Sequence, residues 1–268
     1  MPRRSEPTAP RRVHVPAETA AAATGQSSHL QPAARRRPPS TPRRAHRARA
    51  AVGQNGVVRD WVDWHQAYAD PASGLSARLR IVQRHLARAI GRALPGPVRL
   101  VSLCAGQGHD VIGVLRGHPL RHHVTAVLVE ADPRNAALAR SRAVAAGLDQ
   151  VQVRQADASR PATFADALPA DVLLLCGIFG NVSDTDIERT TAAAPALCAP
   201  GATVIWTRHR RPPDLTPRIR AWFTNAGFAE IAFEALDTGL AAVGVSRLRH
   251  ATRAALPAGP LFTFREQG

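Results

Sequence analysis

The amino-acid sequence predicts an α/β fold built around a mainly parallel β-sheet. Two observations support this: short apolar runs alternate with helical stretches through the middle of the chain, and two closely spaced strands end the pattern. Such alternation indicates repeated βα units, which place neighbouring strands parallel. The apolar runs are Val98–Cys104, Val124–Glu130, Val151–Arg154, Asp171–Cys176 and Ala202–Thr207, and the helical stretches are Val111–Arg116, Arg134–Ala146 and Asp184–Leu197.

The last two strands are predicted at Phe228–Ala235 and Leu240–Leu248, after a helix at Pro217–Asn225. Only the short segment Leu236–Gly239 connects them. Parallel strands need a much longer crossover, so this connection requires an antiparallel pair. We therefore expect five parallel strands followed by an antiparallel hairpin.

The chain before the first strand divides into two parts. Residues 1–58 hold eleven arginines, eight prolines and almost no large apolar side chains. Such a segment cannot bury enough surface to offset the entropy of ordering, so we expect a disordered tail. From about Asp60 the pattern changes, because Trp61, Trp64 and Tyr68 recur at helical spacing.

A second helix is predicted from Leu75 and ends at the segment Leu94–Pro97. Four regions follow from these patterns. They are the tail at 1–58, a helical lid or cap segment at 59–95, the α/β domain at 96–250 and a C-terminal tail at 251–268.

Composition excludes several classes of protein. The formal net charge is +15, and arginine supplies all 35 basic residues, but no aromatic residues separate the arginines of the tail. Nucleic-acid binding by the tail therefore stays open without motif support. The three cysteines lack CxxC spacing, which indicates neither a disulfide framework nor a metal site. Without an apolar run of about 18 residues or a secretory signal, we expect no membrane contact and a cytoplasmic location.

The first candidate functional motif is the turn after the first strand, within Val98–Asp110. Gly106 and Gly108 allow the backbone to pass close to a ligand, and the helix that follows offers free N–H groups. A dinucleotide fingerprint needs a third glycine, and Val111 stands in its place. The motif therefore indicates a nucleotide-like ligand and disfavours a pyrophosphate.

Acidic residues follow the second and third strands. Glu130 ends the second strand, where a carboxylate can accept both hydroxyl hydrogens of a ribose. Asp132 before Pro133 is the better candidate to cap the next helix, which leaves Glu130 free. Asp157 follows the third strand, where it can accept an adenine amino group; the alternative is an ordinary loop aspartate.

The order and spacing of these motifs resemble those of the class I S-adenosylmethionine-dependent methyltransferases, over about Arg99–His250. The resemblance implies a Rossmann-like three-layer sandwich with strand order 3-2-1-4-5-7-6 and strand 7 antiparallel. It also implies that Gly106 and Gly108 lie under the methionine part of the cofactor, with Glu130 on the ribose and Asp157 near adenine. The chain departs from the family at Ser102 and Cys104, where an acid and a glycine are usual.

The full set of candidate cofactor-binding residues extends this motif to its neighbours. It comprises Cys104, Ala105, Gly106, Gly108, Asp110, Glu130, Ala131, Asp157, Ala158, Gly177, Phe179 and Asn181.

The segment after the fourth strand is expected to face the methyl group and its acceptor. Nucleic-acid amino methyltransferases resemble one another in an Asn/Asp-Pro-Pro-aromatic segment here, and this chain has Gly-Ile-Phe-Gly-Asn instead. Asn181 can orient a ligand and Phe179 can cover the methyl site. The alternative is a tight glycine turn with Phe179 in the core.

Two candidate catalytic residues come from other segments. His209 follows the fifth strand within Thr207–Arg211 and can act as a general base, while the neighbouring arginines can bind an acidic acceptor. The alternative is a solvated basic loop. Tyr68, with Trp64 and His65, is placed to cover the cofactor, unless these side chains only pack.

The predicted function is an S-adenosylmethionine-dependent methyltransferase that transfers a methyl group by direct displacement to a small molecule. Three alternatives stay open: a nucleic-acid methyltransferase aided by the basic tail, a noncatalytic cofactor-binding regulatory protein, and a nicotinamide-dependent oxidoreductase, which Val111 disfavours.

Overall fold

A computed structural model describes residues 60–93, 96–236, 240–250 and 255–265. Seven strands form one sheet in the order β3-β2-β1-β4-β5-β7-β6. The first five are parallel, and β7 is antiparallel to both β5 and β6. The strands are β1 (Val98–Leu103), β2 (Val124–Glu130), β3 (Val151–Gln155), β4 (Ala170–Leu175), β5 (Cys198–His209), β6 (Phe228–Ala235) and β7 (Ala241–Leu248). The predicted fold class and strand order are confirmed.

Helices cover both faces of the sheet and make it the middle of three layers. The helices are α1 (Trp61–Gln66), α2 (Gly74–Ala93), α3 (Val111–Leu115), α4 (Pro133–Ala145), α5 (Asp184–Leu197) and α6 (Thr216–Asn225). Apolar residues of α2, α3 and α4 form one core with Leu100 and Leu128. Residues of α5 and α6 form the other with Val101 and Leu103. Alternate side chains of β1 therefore enter opposite cores, as a strand buried on both faces requires.

Strand β5 is longer than the sequence predicts. It begins at Cys198 and includes Gly201, whose φ of 75° is in the left-handed region. Its pairing with β4 shifts register between Ala170 and Val172. Pro200 and Gly201 are typical of a turn, so the apolar pattern alone starts the strand at Ala202.

The beginnings of two helices that border the site follow local capping rules. Asp60 accepts N–H groups of the first turn of α1, and Asp132 accepts the N–H of Arg134 at the start of α4. Pro133 follows Asp132 in the first turn, where its missing N–H is not needed. The predicted role of Asp132 as a helix cap is confirmed, and the Glu130 side chain is thereby left for other contacts.

The C-terminal region is part of the folded domain over 255–265, although the sequence analysis separates it as a tail. Leu261 and Phe262 are 0% and 1% exposed and belong to the core that contains α5 and α6. Leu261 N–H donates to Ser159 O at 2.7 Å, and Thr263 N–H donates to the Asp186 carboxylate at 3.1 Å. Two apolar residues in a short segment carry no periodicity, so the sequence pattern does not reveal this packing.

The predicted tail at 1–58 and the predicted hairpin turn at 237–239 lie outside the described residues. In the described ranges, none of the helices combines the length and apolar character that a bilayer-spanning segment needs.

Candidate functional site

A cavity of about 1180 Å³ opens where the parallel strands end at their carboxyl side. Residues after β1, β2, β3, β4 and β5 line it, and α1, α2 and the C-terminal segment complete its wall. Ligands of open α/β sheets bind at this edge because loops from successive strands converge there. The volume exceeds the range of roughly 300–1,000 Å³ that is usual for one drug-sized ligand.

The turn after β1 forms the floor of the cavity. Cys104, Gly106 and Gly108 have φ values of 53°, 56° and 69°. Left-handed backbone costs about 1–2 kcal/mol for a residue with a Cβ, which explains glycine at two of these positions. Cys104 adopts it without being glycine, so its departure from the family pattern preserves the backbone shape. Cys104 lines the cavity, and burial of its thiol, with Glu130 and Asp157 nearby, raises its pKa well above the usual value.

Gly106 and Gly108 have different surroundings. Gly106 lines the cavity, and a Cβ there would overlap the imidazole of His65. Gly108 is turned toward the core, where a Cβ would come within 3.0 Å of Leu128 and closer still to Ile112. Gly108 therefore shapes the turn from below and is not part of the lining. Ala105 does line the cavity between them.

Glu130 ties the end of β2 to this turn. Its carboxylate accepts the Gly106 N–H at 2.7 Å and the Asp132 N–H at 2.8 Å. Burial raises the pKa of Glu130, against the opposing effect of these two hydrogen bonds. A carboxylate has about four acceptor sites, so two N–H donors leave capacity for a ligand on the cavity side. Glu130 thus keeps acceptor capacity at the cavity, and its contact with ribose hydroxyls stays a prediction.

The other acidic candidate, Asp157, lies after β3 and lines the cavity with the buried Ala158. Asp157 accepts the Ser159 N–H at 2.9 Å and pairs with Arg160 at 3.3 Å. Its side chain is 56% exposed, so it also makes the contacts of an ordinary loop aspartate. Both interpretations of Asp157 remain compatible with this geometry.

The loop after β4 brings Gly177 and Asn181 into the lining but not the side chain of Phe179. The Asn181 amide donates to Gly177 O at 2.7 Å, and the Gly177 N–H donates to the Thr207 hydroxyl at 2.9 Å. Phe179 is 0% exposed, and its ring centroid lies 6.1 Å from that of Trp206. The prediction that Phe179 covers the methyl site is therefore wrong, because this ring completes the core under the loop.

His209 ends β5 and lines the cavity next to Gly180. Its buried Nδ1 has no hydrogen-bond partner among the described residues. Burial lowers the pKa of His209, and the charges of Arg208 and Arg211 lower it further. A neutral imidazole at a cavity wall can accept a proton from a ligand.

The first helix closes the cavity with aromatic side chains. Trp64, His65 and Tyr68 line it from α1 and the following turn. The Tyr68 and His109 ring centroids lie 4.4 Å apart, and burial raises the pKa of Tyr68. The Tyr68 hydroxyl accepts a long hydrogen bond of 3.4 Å from Arg78. Tyr68 is thus a wall residue whose hydroxyl is already partnered.

Asp110 and Ala131 complete the predicted set, and both line the cavity. The Asp110 carboxylate accepts the Val111 N–H at 2.8 Å and caps α3, which leaves it less free than a dedicated ligand group. Burial raises its pKa.

The sequence analysis missed other lining residues, of which Asn135, Cys176 and Phe264 are examples. Asn135 is 0% exposed and its Nδ2 has no partner among the described residues, so a buried donor stands beside the cavity. The position of Asn135 could have been predicted, because it lies in the first turn of α4 and that turn is at the same edge of the sheet. Phe264 comes from a distant segment and had no such signal.

Comparisons with known proteins relate the chain to solved structures through its fold. Neither a protein-family profile nor a curated sequence gives a significant match to the chain. Magnesium protoporphyrin IX methyltransferase from Synechocystis PCC 6803, solved with bound S-adenosylmethionine, is similar in structure with a TM-score of 0.54 and 13% identity, over 75% of this chain and 100% of that protein. A possible exported protein from Bordetella parapertussis gives a TM-score of 0.52 and 18% identity, over 71% of this chain and 80% of that one. At such identities the likeness is one of fold: a Rossmann-like α/β sheet with the strand order 3-2-1-4-5-7-6.

Proposed function

Starting from this fold, we propose that the protein is an S-adenosylmethionine-dependent methyltransferase that acts on a small molecule. The observation that carries the proposal is the joint position of Glu130 and Gly106. A carboxylate at the end of β2 is hydrogen-bonded to the turn after β1, and both line one large cavity at the carboxyl edge of the sheet.

The residues of the cavity fit this cofactor. Glu130 would accept the ribose hydroxyls with its remaining lone pairs, and Asp157 would accept the adenine amino group. The backbone around Ala105 and Gly106 would lie beneath the methionine part. Asn135 adds a buried amide donor that has no partner among the described residues. Gly177, where a Cβ would meet nothing within 4 Å, leaves space open beside the loop after β4.

When bound, S-adenosylmethionine supplies a methyl group made electrophilic by the sulfonium. The acceptor's lone pair forms the new bond to carbon while the carbon–sulfur pair returns to sulfur, and any displaced proton passes to a base or to water. The protein's part is to align these atoms and to exclude water. His209 is the candidate base for a hydroxyl acceptor because it lines the cavity and its lowered pKa favours the neutral imidazole.

A small acceptor is supported by the walls of the cavity. The aromatic residues Trp64, Tyr68 and Phe264 are among those that line it. A polymer would need a broad, open surface. We therefore interpret α1 and the turn after it as a lid over cofactor and acceptor.

Calorimetric titration tests the proposal with S-adenosylmethionine, S-adenosylhomocysteine and NAD. We expect the first two to bind and NAD not to bind. S-adenosylhomocysteine release from S-adenosylmethionine should then be followed across a panel of small hydroxyl, amine, thiol and carboxylate acceptors. Binding without turnover on any acceptor would favour a noncatalytic cofactor-binding protein. Absence of binding by both sulfur compounds would refute the proposal.

A further inference from the structure

A buried arginine side chain lies in the cavity wall at the end of β5. Arg208 is 8% exposed, and its Nη1 donates to the carbonyl of Phe179. Its buried Nε has no hydrogen-bond partner, and no ion pair with a carboxylate forms within 4.0 Å in the described ranges. A buried charge is costly unless it is paired. The geometry therefore leaves a guanidinium that needs an anion.

The carboxylates that act on Arg208 from a distance are already paired with other arginines. Asp184 pairs with Arg265 at 3.4 Å, and Asp214 pairs with Arg210 at 2.9 Å. Neither is free to move toward Arg208 without breaking its own pair. The part of the chain that the structure describes thus supplies no dedicated counter-charge at this position.

The same end of the cavity carries a second cation. Arg211 lines the cavity and is exposed. Glu130 and Asp157 belong to the other end, after β2 and β3. Strands β1 and β4 lie between β2 and β5, which separates the acidic and basic ends by roughly 14 Å at the usual strand spacing. The acidic residues Glu130 and Asp157 thus lie at one end, where the lining residue Arg134 is already paired with Asp60 and Asp132. Arg208 and Arg211 lie at the other end.

We propose that Arg208 and Arg211 form an anion subsite, so that the methyl acceptor is a small molecule carrying a carboxylate or phosphate. Guanidinium N–H groups match the geometry of such oxyanions. The anion neutralises Arg208 and Arg211 from the cavity side, and the bound acceptor lies beside His209. This inference rests on the proposed methyltransferase function, but the binding of an anion is measurable without turnover.

The test uses benzoate, its neutral isostere benzamide, and inorganic phosphate. Each is titrated in low-chloride buffer into the full chain saturated with S-adenosylhomocysteine. Arg208→Gln and Arg211→Gln remove the two charges, and Arg88→Gln removes an exposed charge on α2 outside the cavity as the matched control. Thermal unfolding checks that each variant is folded. Arg211 is exposed, so its variant keeps the test valid if Arg208→Gln does not fold.

We expect benzoate or phosphate to bind, with affinity at least tenfold weaker in both cavity variants and unchanged in Arg88→Gln. Benzamide should not bind measurably, and a preference between the two anions identifies the oxyanion class. Equal affinity in all variants, equal binding of benzamide, or no anion binding while S-adenosylhomocysteine binds would overturn the subsite. If the cofactor product fails to bind and the anion still depends on Arg208, the methyltransferase proposal falls and the anion site stands.

Discussion

The imidazole of His65 lies directly against the α-carbon of Gly106. A Cβ built on Gly106 would overlap Nε2 of His65 and come within 2.8 Å of its Cε1. The Trp61 carbonyl holds Nδ1 of the same ring, so the side chain is fixed to α1. The turn that forms the floor of the cavity is thus in direct contact with the helix that closes it.

Gly106→Ala is therefore expected to destabilise the protein in two separable ways. The positive φ of 56° costs a Cβ-bearing residue about 1–2 kcal/mol. The overlap with His65 adds an overpacking cost of about 1–3 kcal/mol. In a His65→Ala background only the cost of the positive φ should remain. A double-mutant cycle measured by urea unfolding should therefore give a coupling energy between Gly106→Ala and His65→Ala.

Gly91→Ala is the matched control, because a Cβ there meets nothing within 4 Å and the residue lies inside α2. It should be neutral or slightly stabilising, as alanine favours helix over glycine. An equal cost of Gly106→Ala with and without the His65 ring would contradict the contact.

Glu130→Ala should weaken binding of S-adenosylhomocysteine and lower the free energy of unfolding. Binding weakens because the ribose acceptor is lost. The free energy of unfolding falls because the Gly106 and Asp132 N–H groups lose their acceptor, at about 1–3 kcal/mol each if they stay buried. Glu130→Gln retains one acceptor oxygen and should be less destabilised.

Glu188→Gln, an exposed change on α5, is the control for Glu130. Calorimetry and urea unfolding measure both effects. Unchanged affinity in Glu130→Ala would remove the ribose role while leaving the fold intact.

The strands and their order could be read from the sequence because apolar runs, helical periodicity and a short terminal connection each have a direct physical cause. The roles of Asp132 and Glu130 could also be separated, since Pro133 marks the start of α4. The predicted β5 begins too late, at Ala202, because Gly201 interrupts the apolar pattern although it lies within the strand. Hydrophobic periodicity identifies the buried face of a strand or helix, but it does not locate the end of an irregular strand.

The residues of the candidate site were predictable only where the position of a residue in the fold also fixes the direction of its side chain. Glu130 follows a strand end and must lie at the sheet edge. Phe179 is in a loop, and nothing in the local sequence tells whether its ring turns toward the ligand or toward Trp206. Phe264 owes its place to long-range packing, which a single sequence does not encode in a readable pattern. Arg208 lies in the segment that the sequence predicts to bind an acidic acceptor, but the sequence does not show that its side chain is buried.

Acid should weaken the contact between the lid and the turn through His109. Burial lowers its pKa from 6.5 to about 4, with the charge of Arg142 as the next cause. A depressed pKa contributes stability that is present above pH 6.5 and lost as the pH falls toward about 4. The difference in free energy of unfolding between wild type and His109→Gln should therefore shrink across that window.

Urea unfolding at several pH values between these limits measures the difference. The exposed His123→Gln provides the control. A difference that stays constant with pH would show that His109 is not buried in its neutral form.

Removal of residues 1–58 should leave S-adenosylhomocysteine affinity unchanged. Among the described residues, those that line the cavity run from Asp60 to Phe264, so the truncation removes none of these. Calorimetry on the truncated and full chains at two salt concentrations gives the comparison. Loss of binding on truncation would show that the arginine-rich segment takes part in the site.

The last prediction concerns the C-terminal segment, where Phe262 is expected to affect stability and Phe264 to affect ligand binding. Phe262 is 1% exposed in the core, so Phe262→Ala should cost about 3–5 kcal/mol. Phe264 is 38% exposed and lines the cavity, so Phe264→Ala should change stability little but weaken or broaden acceptor binding. Leu256→Ala, at a residue 40% exposed, should be close to neutral in both assays. Urea unfolding and anion titration resolve the two roles, and a large stability loss in Phe264→Ala would mean that its ring serves the core instead of the cavity wall.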